Sequence, residues 1–105
     1  MNVRLIEFKV IPAVASVRAG RVTFVVRNAG KIAHDFVVLR TRLAPTRLPV
    51  VGSRAKEVGL VSRTPTFGAG QTKRLTAVLK SSAYVLICNV PGHYQAGMAA
   101  RLRVR

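Results

Sequence analysis

The sequence predicts an all-β protein, an antiparallel β-sandwich of about seven or eight short strands. Three observations carry that prediction. Apolar residues recur at every second position in several segments rich in β-branched and aromatic residues, the period of a strand with one face on a core and one in water. Turn signals, "RAG", "NAGK", "FGAGQ" and "PGH", separate those segments. At 105 residues the chain has the size of one ordinary domain, residues 1–105, and can close one hydrophobic core without disulfides.

Taken in order, "NVRLIEFKV" opens the chain with an alternating segment. In "RVTFVVRN", Val22, Phe24 and Val26 share one face, with Arg21, Thr23 and Arg27 on the other. "HDFVVLR" begins a further apolar strand at His34. From Thr41 to Phe67 the pattern weakens, with three prolines and two glycines, and the reading is a long irregular excursion in which "SRAKEVGL" could form a turn of helix. Alternation resumes in "TKRLTAVLK", where Leu75, Ala77 and Leu79 point one way. "AYVLIC" places Tyr84, Leu86 and Cys88 on a common face, so Cys88 is expected to point inward at a strand end. "AARLRVR" supplies the last strand, its arginines on the outer face.

Composition narrows the function classes. No apolar run approaches the roughly 18 residues needed to span a bilayer. Nor does the start show a basic stretch, a long apolar middle and a small-residue cleavage site, so the numbered chain reads as mature or truncated. One cysteine cannot form an intramolecular disulfide, which leaves Cys88 as a candidate for chemistry. Eighteen Lys and Arg against three acids, Glu7, Asp35 and Glu57, give a net charge of +15 and attraction to something negative. Nucleic acid is disfavoured, because neither helix-turn-helix nor zinc-finger spacing nor an aromatic RNA platform accompanies that charge.

The loop "CNVPGHYQAGM" concentrates scarce residue types: the only cysteine, one of two histidines and the only methionine besides the first. Cys88, His93 and Met98 are spaced C-x4-H-x4-M, and His34 lies far upstream. A thiolate, two imidazoles and a weak thioether form the donor set of a blue-copper electron-transfer site. Soft sulfur favours Cu(I), imidazole keeps Cu(II) bound, and an intermediate geometry limits rearrangement between them. Zinc is the competing metal, but structural zinc takes four strong donors, so it would have to recruit Asp35 or water. Pro91-Gly92 sets a turn before His93, and Gly97 allows a close backbone approach beside Met98.

With these residues in view, the chain resembles a cupredoxin, the fold of plastocyanin and azurin. The resemblance rests on the C-x4-H-x4-M loop after an inward-alternating strand, on Tyr84 before it, on the upstream "NAGKIAHDF" and on the sandwich pattern. It spans essentially the whole chain and is weakest from Thr41 to Phe67. The loop is longer than the C-x2-H-x4-M of plastocyanin and similar in spacing to rusticyanin and auracyanin. The resemblance implies a Greek-key sandwich, one type 1 copper, His34, Cys88 and His93 as equatorial ligands and Met98 as the axial one. Two departures stand out: Asp35 follows the first histidine where the family often has Asn, and Ser82 or Ala83 replaces a glycine before the Tyr-x-x-x-Cys strand. The Asp35 backbone N–H is still expected to donate to the Cys88 sulfur.

The function these readings imply is one-electron transfer, with no substrate turnover, because both histidines are committed and none remains for a second copper. Electrons are expected to pass through the edge of His93, ringed by Val90, Pro91, Tyr94 and Ala96. The basic charge would steer an acidic redox protein, with an anionic membrane surface as a further possible contact, and the chain would act as a monomer. The alternatives are copper storage, delivery or assembly, and a cupredoxin domain of a larger redox enzyme. The resemblance implies a periplasmic or other extracytoplasmic location.

Overall fold

The computed structural model describes residues 1–105. Its strands are β1 (Asn2–Ile6), β2 (Lys9–Pro12), β3 (Ser16–Val17), β4 (Gly20–Asn28), β5 (Val37–Arg40), β6 (Val50–Val51), β7 (Arg54–Ala55), β8 (Leu60–Arg63), β9 (Thr72–Leu79), β10 (Ser82–Ile87) and β11 (Ala99–Val104). One sheet has the order β2-β1-β4-β9 and the other β3-β11-β10-β5-β8, while β6 and β7 pair apart. No helix is long and apolar enough to cross a membrane.

Alternation places the core as the sequence predicts. β4 pairs with β9 from Gly20↔Leu79 to Arg27↔Thr72, so Val22, Phe24 and Val26 share an inner face with Ala77 and Leu79. Facing them across the sandwich are Phe36, Val38, Tyr84, Leu86, Cys88, Leu102 and Val104. Phe24 and Phe36 are fully buried with ring centroids 5.3 Å apart. Burying each contributes roughly 1.5–3 kcal/mol.

The sheets are mixed where an antiparallel sandwich was expected: β1 runs parallel to β4, and β3 parallel to β11. Between β1 and β4 the chain turns into β2 and visits the opposite sheet at β3. A strand returning after such a crossing can lie beside its predecessor in the same direction, which a tight hairpin forbids.

The long excursion also differs from its reading. Ser53–Leu60 forms no helix, but a turn, the short strand β7 and the approach to β8; the one helical turn is 3-10, at Pro45–Arg47. Its role is to cover the outer face of β5 and β10. Leu48, Ala55 and Tyr94 pack there on Val37, Leu39, Val85 and Ile87. Both faces of these strands are therefore dry, which explains why "FVVL" and "YVLI" are continuous apolar runs.

These pairings bring several chain segments to one pole. Ile87 pairs with Val37 and with Ala99, so the residues before β5, after β10 and before β11 are neighbours. The β1–β2 turn, Glu7-Phe8, reaches the same pole, since Leu5 lies opposite Asn28 at the end of β4.

Candidate metal centre

His34 is held at the backbone by two bonds with Phe67: its N–H donates at 3.1 Å and its carbonyl accepts at 2.8 Å. Cys88 follows β10 directly, inward-facing and fully buried, as the alternation predicts. His93 follows the Pro91-Gly92 turn, closed by its N–H donating to Val90 O at 2.9 Å. Gly97, at φ 119°, sits where a Cβ would come within 3.3 Å of Phe8 O, the close approach expected of that position.

Three donor atoms converge. His34 Nδ1 and His93 Nδ1 are 3.1 Å apart, and Cys88 Sγ is 3.6 Å and 3.5 Å from them. The centre of that triangle lies about 2.0 Å from each atom, the length of a metal–imidazole bond and slightly short of a metal–thiolate bond. The residues present therefore fit a metal ion of copper's size and taste: two nitrogens and one sulfur in a plane. Met98 is fully buried and locked to the same cluster, its N–H donating to His93 O and its carbonyl accepting from Cys88 N, each at 3.2 Å. Asp35 does not enter the donor group. Its carboxylate is already occupied, Oδ1 accepting from Asn89 N at 2.6 Å and Oδ2 pairing with Arg63 at 2.9 Å, so the fourth strong donor that structural zinc wants is missing.

Asp35 ties the two ligand segments together twice and fastens them to β8. Its N–H donates to the Cys88 sulfur at 3.4 Å, as expected. Its carboxylate then grips the amide after Cys88 and reaches Arg63 at the end of β8. Asn89, also buried, exchanges bonds with Ala55 in both directions at 2.9 Å and donates to Glu57, fastening the excursion to the ligand loop.

Two residues that sequence reasoning missed complete the site, both from the β1–β2 turn. Glu7 Oε2 lies 3.4 Å from His34 Nε2 on the far side of the ring. A proton on Nε2 donating to that carboxylate leaves the Nδ1 lone pair facing the cluster. The other oxygen, Oε1, accepts from the Lys31 and Ile32 amides, and Gly30 admits the carboxylate because a Cβ there would collide with it. Phe8 packs edge-on against His93 with centroids 5.2 Å apart. An acid interrupting an otherwise apolar alternation beside a phenylalanine is the only sequence signal either residue offers.

Burial sets the electrostatics. Loss of hydration pushes the Cys88 thiol up to about 12, against the opposing pull of the Val90 and Asp35 amides. Burial, then the neighbouring His34, holds His93 below the usual histidine range, keeping its lone pair available. The Lys31 amide, with help from His34, lowers Glu7 and keeps it an anion. Tyr94 departs from its expected place around His93. It is buried, its hydroxyl accepting from Leu48 N at 2.9 Å and donating to Pro45 O at 2.6 Å, because the excursion offers it those partners. Phe8, 40% exposed, takes that place beside the ring.

Glu7→Gln should lower copper affinity about 10–100-fold while leaving the far-ultraviolet circular dichroism unchanged. Whichever way the amide turns, its NH2 meets a donor, either His34 Nε2–H or the two loop amides. Competition against a chelator of known affinity measures the loss; unchanged affinity would show that the carboxylate does not orient His34.

Comparison with known proteins agrees with this geometry. A profile of the family described as copper binding proteins, plastocyanin/azurin family, matches residues 3–105. The reduced auracyanin of Roseiflexus castenholzii superposes with a TM-score of 0.75 at 19% identity, covering 99% of this chain and 94% of that one. Auracyanin A, a "blue" copper protein of Chloroflexus aurantiacus, superposes at 0.73 with 18% identity, covering 100% and 97%. The copper-resistant cuproprotein CopI of Rubrivivax gelatinosus is 28% identical over 96 residues, 90% of this chain and 58% of that protein. The chain thus spans little more than half the length of that relative.

Proposed function

Because the chain belongs to the plastocyanin/azurin family of copper-binding proteins, we propose that it is a one-electron carrier built on a single type 1 copper site. His34, Cys88 and His93 would hold the ion through two nitrogens and a sulfur, and Met98 would add a weak thioether donor. Bound copper would supply reversible one-electron chemistry between Cu(I) and Cu(II). The observation that carries the reading is the triangle of Nδ1, Nδ1 and Sγ, whose centre lies close to metal-bond distance from all three atoms.

The protein's own residues divide the remaining work. His34 is sealed from water behind Glu7, whereas His93 is only half-buried, so its edge is the exit toward a partner. Phe8, Val90 and Pro91 border that edge and give a docking partner apolar surface with little to desolvate. With both histidines in one cluster, no second set exists for a further copper, and the chain carries electrons without turning over a substrate. It works as one domain over residues 1–105 and as a monomer.

The partner we propose is an acidic redox protein, drawn in by the net charge of +15. Electron exchange with an acidic partner should slow about tenfold or more as salt rises from roughly 10 to 500 mM, with the visible spectrum unchanged. Stopped-flow rates check this, and salt-independent rates would remove steering from the account.

The likeness to a copper-resistant cuproprotein favours a second reading, copper handling. Both readings place the chain outside the cytoplasm. Adding Cu(II) to the apo-protein, then cycling it with reductant and oxidant, separates them. A carrier becomes intensely coloured and keeps its copper through many cycles; a copper-handling module colours but surrenders copper on reduction. A colourless protein that retains zinc in preference to copper overturns both.

A further inference from the structure

The outer face of the larger sheet is only half covered. Over the half nearer the metal centre the excursion seals Val37, Leu39, Val85 and Ile87. The other half stays open and forms a groove of about 650 Å³. Its walls are arginines: Arg40 and Arg42 at and just past the end of β5, and Arg101, Arg103 and Arg105 along and just past β11. Between them runs the start of β10, whose Ser82 and neighbouring small residues make a low floor between two tall rows. The register sets Arg103 opposite Ala83 on the outer face, whereas Arg40, opposite the inward-facing Tyr84, lines the groove from the very end of its strand. Leu102 and Val104 point into the core, so the three β11 arginines must share the outer face.

No carboxylate side chain answers this charge. Glu7, Asp35 and Glu57 all engage His34, Asn89 or Arg63 at the metal pole, and none of the five groove arginines joins an ion pair. Five exposed guanidiniums around one concavity repel each other until an anion enters. Their planar forks match phosphate oxygens in pairs, and alternate residues on β11 root about 6.7 Å apart, too far for one phosphate to engage them all.

We propose that this groove is a binding site for clustered phosphate groups, those of anionic lipid headgroups or of a soluble polyphosphate. From Ser82 to Cys88 the strand runs about 20 Å, so an anion held here leaves the His93 edge free. With lipid headgroups in the groove, the protein would be anchored by the pole opposite its metal centre. Nothing in this inference depends on whether copper is bound.

The test compares two variants of equal charge in the full chain. Arg40→Gln/Arg101→Gln/Arg103→Gln removes three groove cations, and Arg4→Gln/Arg21→Gln/Arg27→Gln removes three exposed ones from the smaller sheet. Each is assayed for binding to phosphatidylglycerol vesicles, with phosphatidylcholine vesicles as blank, and to pyrophosphate by calorimetry. The groove variant should lose at least tenfold in affinity for whichever phosphate probe the unaltered protein binds, and the control less than threefold. Vesicle binding alone identifies headgroups; pyrophosphate binding identifies a soluble ligand. Equal losses in the two variants would show diffuse charge and overturn the site. So would no binding to either probe at low salt, or binding to polyglutamate in preference to both. Unchanged circular dichroism and thermal unfolding in the two variants exclude misfolding as the cause.

Discussion

Cys88→Ser is expected to abolish the intense visible band of the copper-loaded protein completely, while the fold survives. That band is thiolate-to-Cu(II) charge transfer, and a serine hydroxyl has neither the electron-rich sulfur nor a comparable tendency to ionise. The buried site accepts the change because serine is slightly smaller and the neighbouring Asp35 N–H can still donate to its oxygen. The same variant reports the thiol's proton. With the Cys88 pKa pushed up to about 12 by burial, the apo-protein holds that proton at neutral pH, and metal uptake must release it. Copper affinity should therefore rise about tenfold per pH unit through neutral pH on this group's account, and proton release should vanish in Cys88→Ser. The apo-protein should behave in the opposite sense. Between the ordinary thiol value and about 12 the unfolded chain binds fewer protons than the folded one, so stability present at lower pH is lost as pH rises. Thermal unfolding of the two apo-proteins against pH reads the difference; a variant that keeps the band would falsify the thiolate assignment.

Asp35→Ala should be among the most destabilising single changes in the chain, costing about 3 kcal/mol. The carboxylate is nearly inaccessible, and its removal strands the Asn89 amide and takes from Arg63 its shorter carboxylate contact. Arg63 keeps Glu57 at 3.3 Å and is about a third exposed, which holds the loss below that of a fully buried pair. For a chain of this size such a loss lowers the melting temperature by on the order of 10–20 °C. Asp35→Asn should recover only part of it, because an amide can accept from Asn89 but then turns its NH2 toward Arg63. The visible band should shift in both variants, since the segment carrying His34 loses its grip on the segment carrying Cys88. Melting curves near those of the unaltered protein would show that the Cys88 sulfur bond and the Phe67 pairing hold the site unaided.

Much of this could be read from the linear chain, and for a common reason. The strands around Phe24 and Leu79, and the outward arginines of β11, follow from one-sided burial, which leaves a period of two in any strand that obeys it. Where both faces are dry the period vanishes, so Val85 and Ile87 revealed nothing of the excursion that covers them. The chain from Ser53 to Leu60 read as a turn of helix because local preference was the only guide there, and tertiary anchoring to Asn89 prevailed.

The sequence by itself determined the sandwich class and the donor set: Cys88, His93 and Met98 sit in one short loop, and their scarcity elsewhere singles out His34 as the fourth. Only the tertiary structure decided what surrounds them. Glu7 and Phe8 reach the two histidines across 27 and 85 residues, and Asp35 reaches Asn89 across 54, through a register set by sheet pairing. Likewise, the arginine groove exists because β5 and β11 flank β10 in space, an adjacency that the separation of 40 from 101 in the chain conceals. Local periodicity is set by each strand's own burial, whereas these meetings depend on which strands lie side by side, and that is settled when the sheets close on each other.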